Sequence, residues 1–313
     1  MAPRRILVIK LGALGNVVQS FGPFASIRRH HAGAHITLLT TAPYADWLAV
    51  APWFDAITID QRPEWWDVSG WLALRHTLIA GRFDRIYDLQ TSGRSCRYFH
   101  LMLPGRRPDW SGIALGCSLP DSDPNRDRLH DVDRQFGQLR AAGIDRREPP
   151  DLTWSRGDIA RFVLPQEIAL LVPGSSAHRL AKRWPAEHYA ALAAALSQHG
   201  LTPVVVGSTA EHRLAEQIRA ASPAAIDLTG RTRLADLTDL ANAARVAIGN
   251  DTGPMHLIAA ACRSIVLFSH DSDPALCAPR GPSVAILRRH DLASLDVPAV
   301  LQLLPETATA PAA

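Results

Sequence analysis

The feature that most constrains the fold is an alternation of short apolar runs with stretches of helical periodicity, which occurs in both halves of the 313-residue chain. The runs are rich in Ile, Leu and Val, which is typical of strands that are buried on both faces of a parallel sheet. Strands that alternate with helices indicate βαβ units. The sequence therefore predicts an α/β protein, and its length predicts two domains.

The predicted strands and helices divide the chain into two similar halves. A stretch with little periodicity, residues 145–165, contains two adjacent prolines and is the expected linker, so we place the domains at 1–150 and 151–313. We predict disorder for the tail, 305–313. The predicted strands are 5–11, 35–40, 56–59, 85–89, 168–172, 203–206, 246–248, 265–268 and 284–287. The predicted helices include 45–50, 132–142, 186–199, 210–221, 234–244, 254–262 and 297–304.

Composition excludes several classes of protein. A net charge of +3 is too small to indicate nucleic-acid binding as the main activity. The four cysteines are not spaced as CxxC pairs, so we read them as reduced thiols rather than a disulfide frame or a metal site. The apolar runs are far shorter than the ~20 residues of a membrane span. Lys10 interrupts the first run, which we read as a strand and not as a signal peptide. We expect a cytoplasmic protein.

The most informative motif is GNDTGPMH at residues 249–256, between a predicted strand and a predicted helix. Open α/β sheets bind ligands at the carboxyl ends of their strands, and a helix N-terminus favours an anion such as a diphosphate. Asp251 would repel phosphate and is better suited to hydrogen-bond sugar hydroxyls. The alternative is that Asp251 or Thr252 simply caps the helix that follows.

Two further loops follow strands. Residues 173–176, PGSS, precede KRWP at 182–185, and small hydroxyl side chains with a nearby lysine can hold phosphate oxygens. The alternative is a flexible loop that ends in a solvated cation. Residues 12–16, GALGN, lack the third glycine of the dinucleotide-binding fingerprint and are not a Walker A loop. A plain turn between strand and helix is the alternative there.

In this order, the motifs resemble those of the heptosyltransferase family. Residues 249–256 resemble its "DTGxxH" signature, 182–185 its "K-x-W-P" segment and 12–19 its N-terminal "LGxxGD" loop. Residues 228–230 with 234–240, and 267–274, also fit its pattern. The similarity extends over nearly the whole chain and is densest from 168 to 282.

The resemblance implies a GT-B fold, in which two Rossmann-like domains with parallel sheets face a central cleft. Residues 1–150 would be the acceptor side and 151–313 would bind the nucleotide sugar, with the last helix packing back toward the N-terminal domain. It implies inverting transfer from an ADP-activated heptose to a lipopolysaccharide core acceptor, without a metal or a cofactor. The residues that it implies for donor binding are Ser175, Ser176 and Lys182 for the diphosphate, Glu211 for the ribose, and Asp251, Thr252, Gly253 and His256 for the sugar and phosphates.

One departure concerns the base. The family usually has Asp where this chain has Asn16, and inverting transfer needs a group that takes the proton of the acceptor hydroxyl. An amide does this poorly. Asp88, at the end of a predicted strand, is the substitute that we consider; the alternative is a structural carboxylate that caps Ser92 or pairs with Arg94.

Two other interpretations concern partners. Arg94 and Arg97 follow the Asp88 strand and could pair with an anionic acceptor, or lie on a solvated helix. Residues 63–71 hold three tryptophans, which are typical of a peripheral contact with the inner membrane, where a lipid-linked acceptor would lie, or of packing against the domain. Two other functions remain: a nucleotide-sugar-binding protein that has lost transfer, which Asn16 favours, and an enzyme of the same fold with another donor or with epimerase activity.

Overall fold

The computed structural model describes residues 3–105, 107–176 and 178–304. The chain forms two compact units, Met1–Trp154 and Ser155–Ala313. Each unit is built on a six-stranded sheet whose neighbouring strands are all parallel.

The first unit has the strand order β3-β2-β1-β4-β5-β6. The order reverses direction between β1 and β4, so the loops that follow these two strands diverge. The strands are β1 Arg5–Ile9, β2 His35–Thr40, β3 Ala56–Ile59, β4 Arg85–Asp88, β5 Asp109–Gly112 and β6 Leu119–Pro120. The helices are α1 Leu14–Val18, α2 Phe21–His30, α3 Ala42–Leu48, α4 Val68–Ala80, α5 Gly93–Leu101 and α6 Asp131–Ala141.

The second unit has the order β12-β11-β10-β7-β8-β9, which is the same arrangement read from the other edge. Its reversal lies between β7 and β10. The strands are β7 Ile168–Val172, β8 Thr202–Val205, β9 Ile226–Asp227, β10 Ala244–Asn250, β11 Ser264–Phe268 and β12 Val284–Arg288. The helices are α7 Ala186–Gln198, α8 His212–Ala221, α9 Leu234–Ala243, α10 Gly253–Ala259, α11 Pro274–Cys277 and α12 Val297–Leu301.

Burial explains why the apolar runs become central strands. All five residues of β7 and of β11 are buried, as expected where helices cover both faces of a sheet. Each fully buried aliphatic side chain contributes ~1.5–3 kcal/mol relative to an exposed one. Each unit has its own core cluster, around Trp110 in the first unit and around Trp184 in the second.

The sequence patterns did not predict several of the observed elements. β5 contains Asp109, Ser111 and Gly112, a composition typical of turns, and β6 and β9 have only two residues each. The helix α4 was also not predicted, because only Leu74 and Leu78 of its thirteen residues are buried.

The predicted linker is anchored rather than free. Trp154 packs against Phe21, Trp47 and Trp53 in the first unit. The next residue, Ser155, bonds to the Thr238 hydroxyl at 2.9 Å in the second unit. The change of unit therefore falls between two residues whose side chains are both held.

The last helix, α12, contributes to the core of the second unit, where Val300 is fully buried. The predicted disordered tail, 305–313, lies outside the described residues. Within the described part of the chain, no helix is both long and apolar enough to cross a membrane.

Candidate functional site

The reversal of strand order in the second unit positions the main candidate site. Loops that leave β7 and β10 in opposite directions open a crevice at the carboxyl edge of the sheet, which is where open α/β sheets bind ligands. The predicted motifs PGSS–KRWP and GNDTGPMH are these two loops.

A single buried amide holds the two loops together. Asn250, the last residue of β10, is fully buried. Its Oδ1 accepts hydrogen bonds from the Trp184 amide and the Tyr189 hydroxyl, both at 3.1 Å. Its Nδ2 donates to the carbonyls of Pro173 at 2.8 Å and Gly174 at 3.2 Å. Sequence reasoning assigned Asn250 no role, although an amide at the end of a buried strand was the available signal.

Asp251 and Lys182 form a charge pair across the crevice. The Lys182 Nζ lies 2.5 Å from Asp251 Oδ2, and His256 Nε2 lies 3.8 Å from Oδ1. Burial raises the pKa of Asp251, but the His256 imidazole and the Lys182 ammonium outweigh burial and hold that pKa at about 2. The site therefore presents an ionised carboxylate and a lysine at one point.

Two polar side-chain atoms just after Asp251, one at the N-cap of α10 and one within α10, lack hydrogen-bond partners among the described residues. Thr252 lies at the N-cap of α10, but its side chain makes no capping hydrogen bond, so the interpretation of this residue as a simple cap is not supported. Among the described residues, Thr252 Oγ1 and His256 Nδ1 are buried and make no hydrogen bond. Buried polar atoms are rarely left unpaired in folded proteins, so these two are suited to meet a ligand.

The two serines of the PGSS loop differ in their surroundings. Ser175 Oγ accepts a hydrogen bond from Arg183 Nε at 2.9 Å and donates one to the Arg179 carbonyl at 3.2 Å. Ser176 is exposed. Arg183, which sequence reasoning passed over, therefore holds the loop in place and adds a positive charge beside Lys182.

Glu211 lies on the same side of the sheet. Its Oε2 accepts hydrogen bonds from the Ser208 amide and hydroxyl at 2.8 and 2.7 Å. A Cβ added to Gly174 would lie 3.1 Å from Glu211 Oε1, so this oxygen lies directly against the β7 loop. The structure thus brings Glu211 together with the predicted diphosphate loop.

In the first unit, Asn16 and Asp88 have opposite environments. Asn16 is exposed on α1. Asp88 is fully buried at the end of β4, where its Oδ1 accepts hydrogen bonds from the amides of Gln90 and Thr91, both at 3.1 Å. Burial raises the pKa of Asp88 to about 6. The Oδ1 bonds shape the turn after β4, whereas Oδ2 is buried without a hydrogen-bond partner among the described residues, so the role of Asp88 as a substitute base stays a prediction.

Lys10 is a residue that sequence reasoning missed. It is buried at the carboxyl end of β1, and its Nζ donates to the Leu89 carbonyl at 2.8 Å. Burial lowers the pKa of Lys10 to about 8. The signal was a charged residue that ended an apolar run, which we used only to reject a signal peptide.

The remaining predicted residues are less closely associated with a site. Arg94 donates to the Pro63 carbonyl at 3.2 Å and lies over the Trp71 ring, so it is engaged within its own unit. Arg97 is exposed on α5. The four cysteines are free, and no cluster of three or more His, Cys, Asp or Glu suited to a metal ion occurs among the described residues.

Comparison with known proteins decides the family. The family model of glycosyltransferase family 9 (heptosyltransferase) matches residues 71–299, most of the chain. The chain belongs to this family. It is 28% identical over 313 residues to lipopolysaccharide heptosyltransferase 2 of Salmonella typhimurium, covering 91% of this chain and 88% of the relative.

Two solved heptosyltransferase structures share the fold. One is the E. coli ADP-heptose lps heptosyltransferase II, with a TM-score of 0.76 at 23% identity, covering 95% of this chain and 96% of the other. The second is E. coli heptosyltransferase WaaC with ADP, with a TM-score of 0.77 at 19% identity, covering 95% and 98%. The predicted α/β GT-B fold, with two Rossmann-like parallel-sheet domains, is thereby confirmed.

Membership also confirms the predicted enzyme class. The protein is a glycosyltransferase of the heptosyltransferase family, so the epimerase alternative is set aside. The charged pair and the unpartnered Thr252 and His256 atoms lie in the loops and at the start of α10, after the strands at the reversal point of the second unit.

Proposed function

We propose that this heptosyltransferase-family protein transfers a heptose from an ADP-heptose donor to an acceptor of the lipopolysaccharide core type, with inversion at the anomeric carbon. The observation that carries the proposal is the Lys182–Asp251 pair beside two unpartnered buried polar atoms. The names of the relatives support the substrates: one is a lipopolysaccharide heptosyltransferase, and another was solved with ADP.

The donor would lie along the β7 and β10 loops. Lys182, with the hydroxyls of Ser175 and Ser176, would hold the diphosphate through charge-assisted hydrogen bonds. Glu211 would hydrogen-bond the ribose with its Oε1, since Oε2 is already used by Ser208.

The sugar would meet the loop that opens α10. Asp251, ionised and held by Lys182, would accept hydrogen bonds from sugar hydroxyls. Thr252 Oγ1 and His256 Nδ1 would gain the partners that they lack, and Gly253 would let the phosphates approach the backbone.

The chemical step needs charge stabilisation at the departing diphosphate. The Lys182 ammonium and backbone amides would supply this stabilisation from fixed positions. Such preorganised electrostatic stabilisation is the largest contribution to catalysis in many enzymes. We therefore propose a metal-independent reaction with no cofactor. Arg97, exposed on α5, would be available to pair with an anionic group of the acceptor, whereas Arg94 is held by Pro63 and Trp71.

We also propose a peripheral membrane contact near a lipid-linked acceptor, at the cytoplasmic face of the inner membrane. The apolar patch consists of Trp65, Trp66, Val68 and Leu72, which are 77%, 63%, 68% and 61% exposed. Trp favours membrane interfaces, and a cluster of exposed apolar side chains marks an interaction surface more often than a single one does.

The test measures donor binding and turnover together. The natural protein is titrated with ADP-heptose by calorimetry, and ADP release is then assayed with a deacylated inner-core acceptor, with and without EDTA. We expect binding, ADP release and no effect of EDTA. Lys182→Met should lower kcat/KM by at least about a hundredfold, as expected when a group that stabilises transition-state charge is removed.

Other outcomes would separate the alternatives. Binding of ADP-heptose without ADP release, with release restored by Asn16→Asp, would identify a nucleotide-sugar-binding protein that has lost transfer. Release from a different nucleotide sugar, but not from ADP-heptose, would assign another donor to the same fold. Loss of activity in EDTA would contradict metal independence.

A further inference from the structure

The charges inside the crevice of the second unit do not by themselves favour an anion. The Lys182 Nζ lies 2.5 Å from Asp251 Oδ2, so its positive charge is balanced by that carboxylate. Glu211 adds a second carboxylate, buried against the loop that follows β7. With His256 counted as neutral, these formal charges leave the crevice negative, and a negative crevice repels a diphosphate.

A further cation is therefore needed if the crevice holds a diphosphate. The inference that follows rests on the proposed function, because it is the proposed donor that places two phosphates here.

Arg183 lies at this crevice, since both of its neighbours in the chain contact the end of β10. Lys182 pairs with Asp251, and the Trp184 amide donates to Asn250 Oδ1 at 3.1 Å. The backbone of Arg183 is thus fixed between two residues that are held at the carboxyl edge of the sheet.

The Arg183 guanidinium reaches the other loop of the crevice, the one that follows β7. Its Nε donates to Ser175 Oγ at 2.9 Å and its Nη2 to the Ser175 carbonyl at 3.2 Å. The side chain is exposed, and it pairs with no carboxylate in the part of the chain that the structure describes. A guanidinium has five N–H donors, so those of Nη1 and one of Nη2 remain for a ligand.

Arg179, the other arginine of this loop, is directed elsewhere. Its carbonyl accepts a hydrogen bond from Ser175 Oγ at 3.2 Å, but its Nη1 lies 3.5 Å from the carbonyl of Asp271, in the loop that follows β11. Of these two arginines, Arg183 is the one whose guanidinium lies against the β7 loop.

We propose that Arg183 binds the diphosphate of the nucleotide sugar, as a second cation beside Lys182. Its remaining N–H donors hold phosphate oxygens in the bidentate manner that a planar guanidinium allows. The two bonds to Ser175 keep this fork in position. The added charge offsets the second carboxylate of the crevice, that of Glu211, so the site no longer repels an anion.

The test compares Arg183→Gln and Arg183→Lys with the matched control Arg219→Gln, which removes an exposed arginine from the last turn of α8. Calorimetry measures the affinity for ADP at low ionic strength. Arg183→Gln should lower this affinity at least about tenfold, as expected when a charge-assisted pair is lost. The KM for ADP-heptose should rise in the same variant, whereas Arg219→Gln should change neither quantity.

Arg183→Lys separates a direct contact from a role in holding the loop. Lysine keeps the positive charge but cannot reproduce the fork on Ser175. Arg183→Lys should therefore bind ADP within about threefold of the natural protein. The loss in Arg183→Gln should also shrink when the salt concentration rises from about 0.05 to about 0.5 M, because exposed charges are screened.

Three results would overturn the role of Arg183. Arg183→Gln could bind ADP as tightly as the natural protein does. Arg183→Lys could lose as much affinity as Arg183→Gln, or the loss in Arg183→Gln could be equal at both salt concentrations. Either of these last two results would show that the side chain only holds the loop.

Failure of the proposed function gives a different result. If the natural protein binds ADP but releases none from ADP-heptose with the inner-core acceptor, the proposed transfer fails, and the ADP affinities still decide the role of Arg183. If transfer occurs and Arg183→Gln keeps both its ADP affinity and its KM, the proposed function stands and the role of Arg183 fails. If the natural protein binds no ADP, both fail.

Discussion

At the residue scale, the site depends on a charged side chain, Asp251, that burial alone would favour in its neutral form. Asp251 is nearly buried, yet it stays ionised because Lys182 and His256 face its two oxygens. Removing one member of such a pair leaves the other charge without compensation, which costs more than an exposed pair would contribute.

Asp251 should therefore make stability depend on pH. Its folded pKa of about 2 lies below the usual value for Asp, so its contribution is complete above about pH 4 and is lost as pH falls toward 2. The shift corresponds to roughly 2 kcal/mol. Asp251→Asn should lower the free energy of unfolding by about 2 kcal/mol at pH 7 and by less at pH 3, as measured by urea unfolding.

The control for this prediction is Asp46→Asn, which changes an exposed carboxylate on α3. It should alter the free energy of unfolding by less than about 0.5 kcal/mol at both pH values, as surface substitutions usually do. A loss in Asp251→Asn that is equal at pH 7 and pH 3 would contradict the assigned pKa and leave only a packing effect.

At the element scale, the site exists because two loops are fixed to one strand end. Asn250 bonds to the carbonyls of Pro173 and Gly174 after β7 and to groups of Trp184 and Tyr189 at the start of α7. The loop that carries Ser175 and the residues before Lys182 is therefore held at both ends by the residue that directly precedes Asp251.

Asn250→Ala should damage stability and donor binding together. Four polar groups lose a hydrogen bond to the Asn250 side chain, which we expect to cost about 2–4 kcal/mol in the free energy of unfolding. Affinity for ADP should fall at least about tenfold, because ADP would have to order loops that are no longer held in place. A tenfold loss corresponds to an ordering cost of about 1.4 kcal/mol. Urea unfolding and calorimetry measure the two effects.

Asn242→Ala, an exposed asparagine on α9, is the matched control and should change neither quantity. An Asn250→Ala protein that is destabilised but binds ADP as tightly as the natural chain would show that the amide supports the core and not the loops. Equal stability of the two variants would show that water replaces the lost bonds.

The elements that sequence reasoning found, and those it missed, differ in how much they bury. β7 and β11 are continuous apolar runs because both faces of each strand are covered, so composition alone reveals them. α4 buries only Leu74 and Leu78, and β6 has only two residues, which form a strand because they pair with β5. Their positions depend on the rest of the fold and not on a local pattern.

The site was predictable in its motifs but not in its contacts. Lys182 and Asp251 are 69 residues apart, and only the shared sheet brings them within hydrogen-bond distance. The burial of Asp88 and the engagement of Ser175 by Arg183 are tertiary facts that no spacing encodes.

At the scale of the whole molecule, two units with one strand order are equipped differently. In the second unit, the loops at the reversal point carry a charge pair and unpartnered polar atoms, which suits a nucleotide sugar. In the first unit, the corresponding edge carries Asn16 and Lys10, and the apolar patch lies at and just before the start of α4. Under the proposed function, the same architecture would bind the donor in the second unit and the acceptor in the first.

The apolar patch should bring the enzyme to vesicles. Purified protein should float with liposomes of phosphatidylethanolamine and phosphatidylglycerol, because Trp65 and Trp66 can enter the interface without unfolding any element. Changing both to Ser should lower the partition coefficient by at least about tenfold, since burying one large apolar side chain contributes ~1.5–3 kcal/mol.

The control is Leu115→Ser, which removes a side chain that is 88% exposed but lies outside the patch. If Leu115→Ser lowers flotation as much as the double variant does, binding is not directed by the patch, and natural protein that stays unbound removes the membrane contact from the proposal. If only the double variant fails to float, its ADP release should remain intact with a deacylated acceptor and fall with a lipid-anchored one, because the patch would act in delivery to the membrane and not in the chemical step.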